Sequence, residues 1–213
     1  MLRPGRRLPH LPKRPAGGKR VTLIAAWRCA GGIVIHADAQ ETVGHYRRAV
    51  QKLTPESMGN FLVTVAGSGD SPLVESLIIR LRRRVQASIA TDLDGFVQEV
   101  EDEVASFYNV DVACYPGENK EVKFVLGAVS DRGEYDLWVS EHIRLRKASK
   151  YELVGWDEPL YHNLASRLYR PDLPMSQAIL AGLYLMNVAE QTSNYVKGPI
   201  TAIILGPTGI WRT

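Results

Sequence analysis

Apolar runs with strand-like composition dominate the first third of the chain. Their alanine and β-branched residues follow one another with little polar alternation, which is typical of strands buried on both faces. The predicted strands of this part are 21–27, 31–39, 46–53 and 60–67. Thr54 and Pro55 follow the third strand and are expected to end it, because proline removes a hydrogen-bond donor.

The pattern changes after residue 70 to apolar positions that recur once per helical turn. This spacing runs from Leu73 to Val85 and predicts an amphipathic helix. Ser71 is predicted to cap its N-terminus, because a serine followed by Pro72 suits the first turn of a helix. A second helix is predicted over 91–108.

Strand and helix patterns then return in the same order. Asp131-Arg132-Gly133 predicts a hairpin turn. The predicted strands are 121–130, 135–141, 143–147, 151–156, 200–206 and 209–213, and the predicted helices are 159–169 and 175–192. Two strand groups with helix pairs between them predict an α+β fold, a four-layer αββα sandwich with the helices outside. We expect residues 22–213 to form one domain.

The net charge of +3 comes from the first twenty residues, which hold seven basic residues and no acidic one. The rest of the chain holds 19 basic and 23 acidic residues, so nucleic acid is not an expected partner. Prolines in the first twenty residues oppose a helix, and we expect residues 1–21 to be a disordered tail. No apolar run is long enough to span a bilayer. A cytoplasmic protein without membrane attachment is therefore expected.

Two other kinds of site are not supported by residue spacing. The five histidines show neither the HExxH pattern nor metal-ligand spacing, so no metal and no cofactor are expected. Residues 67–71 read GSGDS, which differs from the GxSxG pattern of a serine nucleophile.

Three segments, 22–44 (TLIAAWRCAGGIVIHADAQETVG), 50–52 (VQK) and 63–71 (VTVAGSGDS), carry a family resemblance. In this order and spacing they resemble a β-type subunit of the proteasome superfamily of Ntn hydrolases, closest to the bacterial HslV peptidase. In that family the mature chain begins with a threonine. An acidic residue follows sixteen positions later, then a lysine and an Ala-Gly pair. The matching residues here are Thr22, Asp38, Lys52 and Gly67.

The resemblance implies a catalytic role for each of the four residues. Thr22 Oγ would be the nucleophile and its own α-amine the base, since such an amine titrates at about 7.7–8.0. The Lys52 cation would lower the pKa of this amine, and Asp38 would hold Lys52 in place. The Gly67 N–H would bind the oxyanion.

The resemblance also implies supporting residues late in the chain. The family has an aspartate near the end of its last long helix, where residues 189–195 contain none; Glu190 or Ser193 could replace it. Gly155 resembles the glycine before the third helix of the family, although the Gly-Ser-Gly run of the family is absent here.

Residues 1–21 leave three explanations open, because a catalytic Thr22 needs a free amine. They could be a propeptide removed by self-cleavage, although Val21 stands where the family has glycine. They could remain on an inactive structural relative. They could also be untranslated: Val21 can be encoded by a GTG start codon, and 17–20 by a sequence like a ribosome-binding site.

The predicted function is therefore an N-terminal threonine endopeptidase of a self-compartmentalising protease. The resemblance implies homo-oligomeric stacked rings, unfolded protein substrates and an ATP-dependent unfoldase partner. Two alternatives stay open: a catalytically inactive ring-forming scaffold subunit, and an Ntn amidase that acts on a small molecule.

Overall fold

The computed structural model describes residues 22–43, 46–49, 53–58, 60–117, 120–155, 159–193 and 196–212. The predicted tail, residues 1–21, lies outside these ranges. The strands, in chain order, are β1 (Leu23–Cys29), β2 (Gly32–Asp38), β3 (Gln40–Val43), β4 (Tyr46–Ala49), β5 (Leu53–Met58), β6 (Phe61–Gly69), β7 (Val122–Ser130), β8 (Tyr135–Glu141), β9 (Arg144–Lys147), β10 (Tyr151–Gly155), β11 (Ile200–Gly206) and β12 (Gly209–Arg212). The helices are α1 (Ser71–Gln86), α2 (Leu93–Phe107), α3 (Pro159–Leu168) and α4 (Met175–Thr192). A short π-helical segment, Tyr108–Val112, extends α2.

The strands form two five-stranded antiparallel sheets. Sheet I has the order β10-β1-β2-β11-β12, and sheet II has the order β5-β6-β7-β8-β9. The hairpin of β3 and β4 pairs separately. Among the described residues no helix is long and apolar enough to cross a membrane.

Three apolar layers hold the sheets and helices together. Helices α1 and α2 cover sheet II around Phe96 and Phe107, and α3 and α4 cover sheet I around Trp27 and Tyr161. The third layer lies between the sheets and contains Ile35 among others. Three such layers separate four layers of secondary structure, which confirms the predicted αββα sandwich.

Strand β1 shows why the first strands have continuous apolar sequences. Leu23, Ala25 and Trp27 face α3 and α4, whereas Ile24 and Ala26 face sheet II. Both faces of the strand are buried, so both need apolar side chains.

The prediction of one strand over 46–53 is wrong. The chain forms β4 and then β5, and β5 continues through Pro55 instead of ending before it. Strand β5 lies at the edge of sheet II and pairs with one strand only. No second neighbouring strand requires the N–H group that a proline lacks, so an edge strand tolerates proline. Residues 40–43, which lie between two of the predicted strands, form β3.

The prediction that Ser71 caps α1 is also wrong. Asp70 is the N-cap residue and Ser71 is the first residue of the helix. The Asp70 carboxylate accepts a hydrogen bond from the Tyr115 hydroxyl at 2.7 Å and makes no side-chain capping bond. Helix α2 does have a side-chain cap, because Asp92 Oδ1 accepts from the Gly95 N–H at 2.8 Å.

Candidate active site

Thr22 and Asp38 come together at one end of sheet I. Thr22 immediately precedes β1 and is half-buried, and Asp38 is the last residue of β2 with 1% of its surface exposed. The Leu23 N–H donates a hydrogen bond to Asp38 Oδ1 at 3.0 Å. Because a buried carboxylate makes strong hydrogen bonds, this contact holds the main chain directly after Thr22.

Gly155 lies beside Thr22 on the neighbouring strand β10. Its backbone has a φ of +100°, and it stands opposite Leu23 in the sheet register. A Cβ atom at this position would overlap the Thr22 carbonyl oxygen and lie 2.8 Å from Ser68 Oγ. The site therefore needs a glycine here both for its backbone conformation and for close approach.

Gly67 approaches the site from sheet II. Its register partner Phe124 donates its N–H to Ser140 Oγ on β8 at 2.8 Å, so the Phe124 N–H points away from β6. In an antiparallel pair the main-chain groups of both residues point toward each other or both point away. The Gly67 N–H is therefore directed toward β5.

The described part of β5 begins beside Gly67. Leu53 is the first residue of β5 and pairs with Ala66, the residue before Gly67. Lys52 precedes Leu53 in the chain but lies outside the described residues. Its predicted place near Thr22 stays a prediction.

The predicted supporting residues Glu190 and Ser193 lie at the C-terminal end of α4. The Ser193 N–H donates to the Ala189 carbonyl at 2.9 Å, and the Lys197 ammonium group donates to the Glu190 main-chain carbonyl. The chain then returns to Asp38, which stands opposite Ile200 in the sheet register. A supporting role for either residue stays a prediction.

His36 lies on β2 two residues before Asp38 and is fully buried. Its Nε2 atom lies 3.1 Å from the Ile179 carbonyl oxygen of α4, and a Cβ on Gly182 would overlap its ring. Burial lowers the pKa of this imidazole to about 4. His36 is therefore neutral near pH 7.

Sequence analysis assigned no role to Ser68, although residues 63–71 were compared with a family motif and residues 67–71 with the pattern of a serine nucleophile. The position of Ser68 beside Gly155 comes from the packing of two sheets and leaves no local signal. No three His, Cys, Asp or Glu side chains lie together as metal ligands would in the ranges that the structure covers.

Solved structures with the same fold include Anbu proteins. An Anbu Gly-1 mutant from Hyphomicrobium sp. strain MC1 matches with a TM-score of 0.77 at 17% identity, over 90% of this chain and 86% of that chain. Anbu from Yersinia bercovieri, described as an ancestral beta-subunit, matches with a TM-score of 0.75 at 18% identity, over 89% and 86% of the two chains. The helical assembly of the Anbu complex from Pseudomonas aeruginosa matches with a TM-score of 0.73 at 17% identity, over 86% and 81%.

These matches establish the fold: a four-layer αββα sandwich like that of the Anbu proteins. The sequence-based placement closest to the HslV peptidase is wrong, because the structures described above, which match over most of this chain, are Anbu proteins. The three matching segments could not separate HslV from Anbu, since the spacing of a few residues says little about the rest of a shared fold. No protein-family model and no curated protein sequence matches the chain.

Proposed function

We propose that the chain is an N-terminal threonine endopeptidase of a proteasome-like assembly, with Thr22 as the first residue of the active form. The observation that carries this proposal is the hydrogen bond from the Leu23 N–H to the buried carboxylate of Asp38. It supports a fixed main chain at the residue that must present both a hydroxyl and a free amine.

In the proposed reaction Thr22 Oγ attacks the carbonyl carbon of the scissile peptide bond. The Thr22 amine takes the hydroxyl proton, and the Gly67 N–H donates to the oxyanion that forms. The amine then gives its proton to the leaving nitrogen, which leaves an ester on Thr22. Water, deprotonated by the same amine, hydrolyses the ester and regenerates the hydroxyl.

Lys52 and Asp38 complete this proposal. A lysine cation close to the amine lowers its pKa and keeps it unprotonated near neutral pH. Asp38 balances that cation and orients it. Glu190 or Ser193 would support this group from the end of α4.

Self-association is the second part of the proposal. Anbu from Pseudomonas aeruginosa is described as a helical assembly, and the sequence resemblance implies stacked rings. The outer face of α4 supports contact between copies, because Leu180 and Tyr184 are 66% and 54% exposed and Glu190 is the one charged residue of the helix. An uncharged apolar face can pack against its own copy without burying like charges.

Unfolded proteins are the proposed substrates, and an ATP-dependent unfoldase is the proposed partner for folded ones. Enclosure of the sites in an assembly would exclude folded proteins, so an unfolding step would have to precede cleavage.

Hydrolysis of fluorogenic peptides by the form that begins at Thr22 tests the activity. We expect turnover in this form, retention of some turnover in Thr22→Ser, and none in Thr22→Ala. A form that assembles but cleaves neither peptides nor small amides would instead be a scaffold. Cleavage of small amides alone would make it an amidase.

A further inference from the structure

Ser68 faces the proposed nucleophile from the opposite sheet. Residues of β6 alternate between two faces, with Val65 directed toward α1 and α2 and Ala66 toward sheet I. Gly67 follows on the helix side, where a Cβ atom would lie 2.6 Å from Val74 Cγ1. Ser68 is therefore directed toward sheet I, at the end that carries Thr22.

The missing side chain of Gly155 brings Ser68 close to Thr22. A single Cβ position on Gly155 would overlap the Thr22 carbonyl oxygen and lie 2.8 Å from Ser68 Oγ. The serine hydroxyl, the Gly155 backbone and the Thr22 main chain thus meet across the two sheets.

Only 8% of Ser68 is exposed, and no described residue makes a hydrogen bond with its hydroxyl. Its Oγ atom is not among the fully buried side-chain atoms without a partner in this part of the chain, so the hydroxyl is open to solvent. Other nearly buried serines of sheet II are bonded: Ser140 Oγ accepts from the Phe124 N–H and Ser130 Oγ from the Glu134 N–H. The Ser68 hydroxyl is exposed to water instead of bonded within the sheet, so a group that binds beside Thr22 can reach it.

We propose that Ser68 is a substrate-binding residue, whose hydroxyl donates a hydrogen bond to a main-chain carbonyl oxygen of a peptide bound at Thr22. The inference rests on the proposed function. It differs from the role of Gly67, since Ser68 contacts the substrate before and during the reaction and does not meet developing charge. A contact made equally in both states changes KM and leaves kcat unchanged.

Kinetics of the protein purified from its natural host test this, with its N-terminus determined by mass. We expect Ser68→Ala to raise KM about three- to tenfold, the effect of one uncharged hydrogen bond, with kcat within about twofold. Ser68→Cys keeps the shape with a weaker donor and should show the same direction. Ser130→Ala, which loses a buried serine far from Thr22, is the matched control and should leave KM unchanged.

Two kinetic results would overturn the inference: an unchanged KM in Ser68→Ala and Ser68→Cys, or a fall in kcat at constant KM. A binding measurement separates this inference from the proposed function. Carboxymethylated α-lactalbumin, a permanently unfolded protein, is labelled and titrated with the full chain carrying Thr22→Ala, with and without Ser68→Ala. We expect Kd to rise about three- to tenfold with Ser68→Ala. Equal Kd values would exclude the Ser68 contact, whereas absent turnover with unequal Kd values would exclude only the peptidase.

Discussion

The Leu23 N–H and the Asp38 carboxylate form a buried hydrogen bond of 3.0 Å that ties the start of β1 to the end of β2. Thr22 lies one residue before this bond. The bond fixes the main chain at Leu23, so the position of Thr22 depends on Asp38.

Replacement of Asp38 should separate its structural role from its charge. Asp38→Ala leaves the Leu23 N–H without its acceptor and should lower the free energy of unfolding by roughly 1–3 kcal/mol. Asp38→Asn keeps an acceptor oxygen and should lose less stability, while peptide turnover falls at least about tenfold in both because the charge proposed to orient Lys52 is gone. Urea unfolding and peptide kinetics measure the two effects. Wild-type turnover in Asp38→Asn would show that the carboxylate charge has no catalytic role.

Gly155→Ala should damage the site more than an ordinary glycine replacement. Gly133→Ala is the matched control, since Gly133 has a φ of +78° and a Cβ there would meet only Pro207 Cβ at 3.7 Å. Both variants pay about 1 kcal/mol or more for the left-handed backbone. Gly155→Ala must also displace the Thr22 carbonyl, so its melting temperature and turnover should fall further. Equal effects of the two variants would contradict the contact between Gly155 and Thr22.

His36 should make the protein less stable in acid. Its pKa is about 6.5 when unfolded and about 4 when folded, so the unfolded chain binds more protons between these values. Stability is therefore lost as pH falls from about 6.5 toward 4, by roughly 3 kcal/mol in total, and the loss stops below the folded pKa.

Urea unfolding at several pH values checks this contribution. His36→Gln should remove the part of the pH dependence that lies between the two pKa values. The exposed His162 of α3 provides the control, and His162→Gln should keep the wild-type pH dependence. An identical pH dependence in all three proteins would mean that His36 is not buried in its neutral form.

The outer face of α4 should carry a contact between copies of the chain. Leu180→Asp places a charge in that contact and should shift the protein toward smaller species in sedimentation velocity. Ile89→Asp is the matched control, because Ile89 is 88% exposed in the loop between α1 and α2. A wild-type assembly in Leu180→Asp would exclude this face.

Sequence patterns predicted the elements that depend on their own residues. Helix α4 was predicted over 175–192 and is Met175–Thr192, because its apolar positions recur over five turns. Strand β11 also has its predicted bounds of 200–206.

Features that depend on distant residues were not predictable in the same way. Strand β5 tolerates Pro55 because it lies at a sheet edge, where no second neighbouring strand requires the N–H group that proline lacks. Asp70 precedes α1 while bonded to Tyr115, and Ser68 acquires its place only when Gly155 packs against it. Each of these contacts joins residues that are far apart in the chain, so no local pattern records it.

The N-terminal residue of the protein tests the central claim most directly. Intact mass spectrometry of the assembled protein, purified from its natural host, gives this residue without assumptions about substrate. The proposed function predicts a mass that corresponds to a chain beginning at Thr22. A mass that includes Met1, or any residue before Thr22, would contradict it, because the threonine would then have no free amine to act as a base.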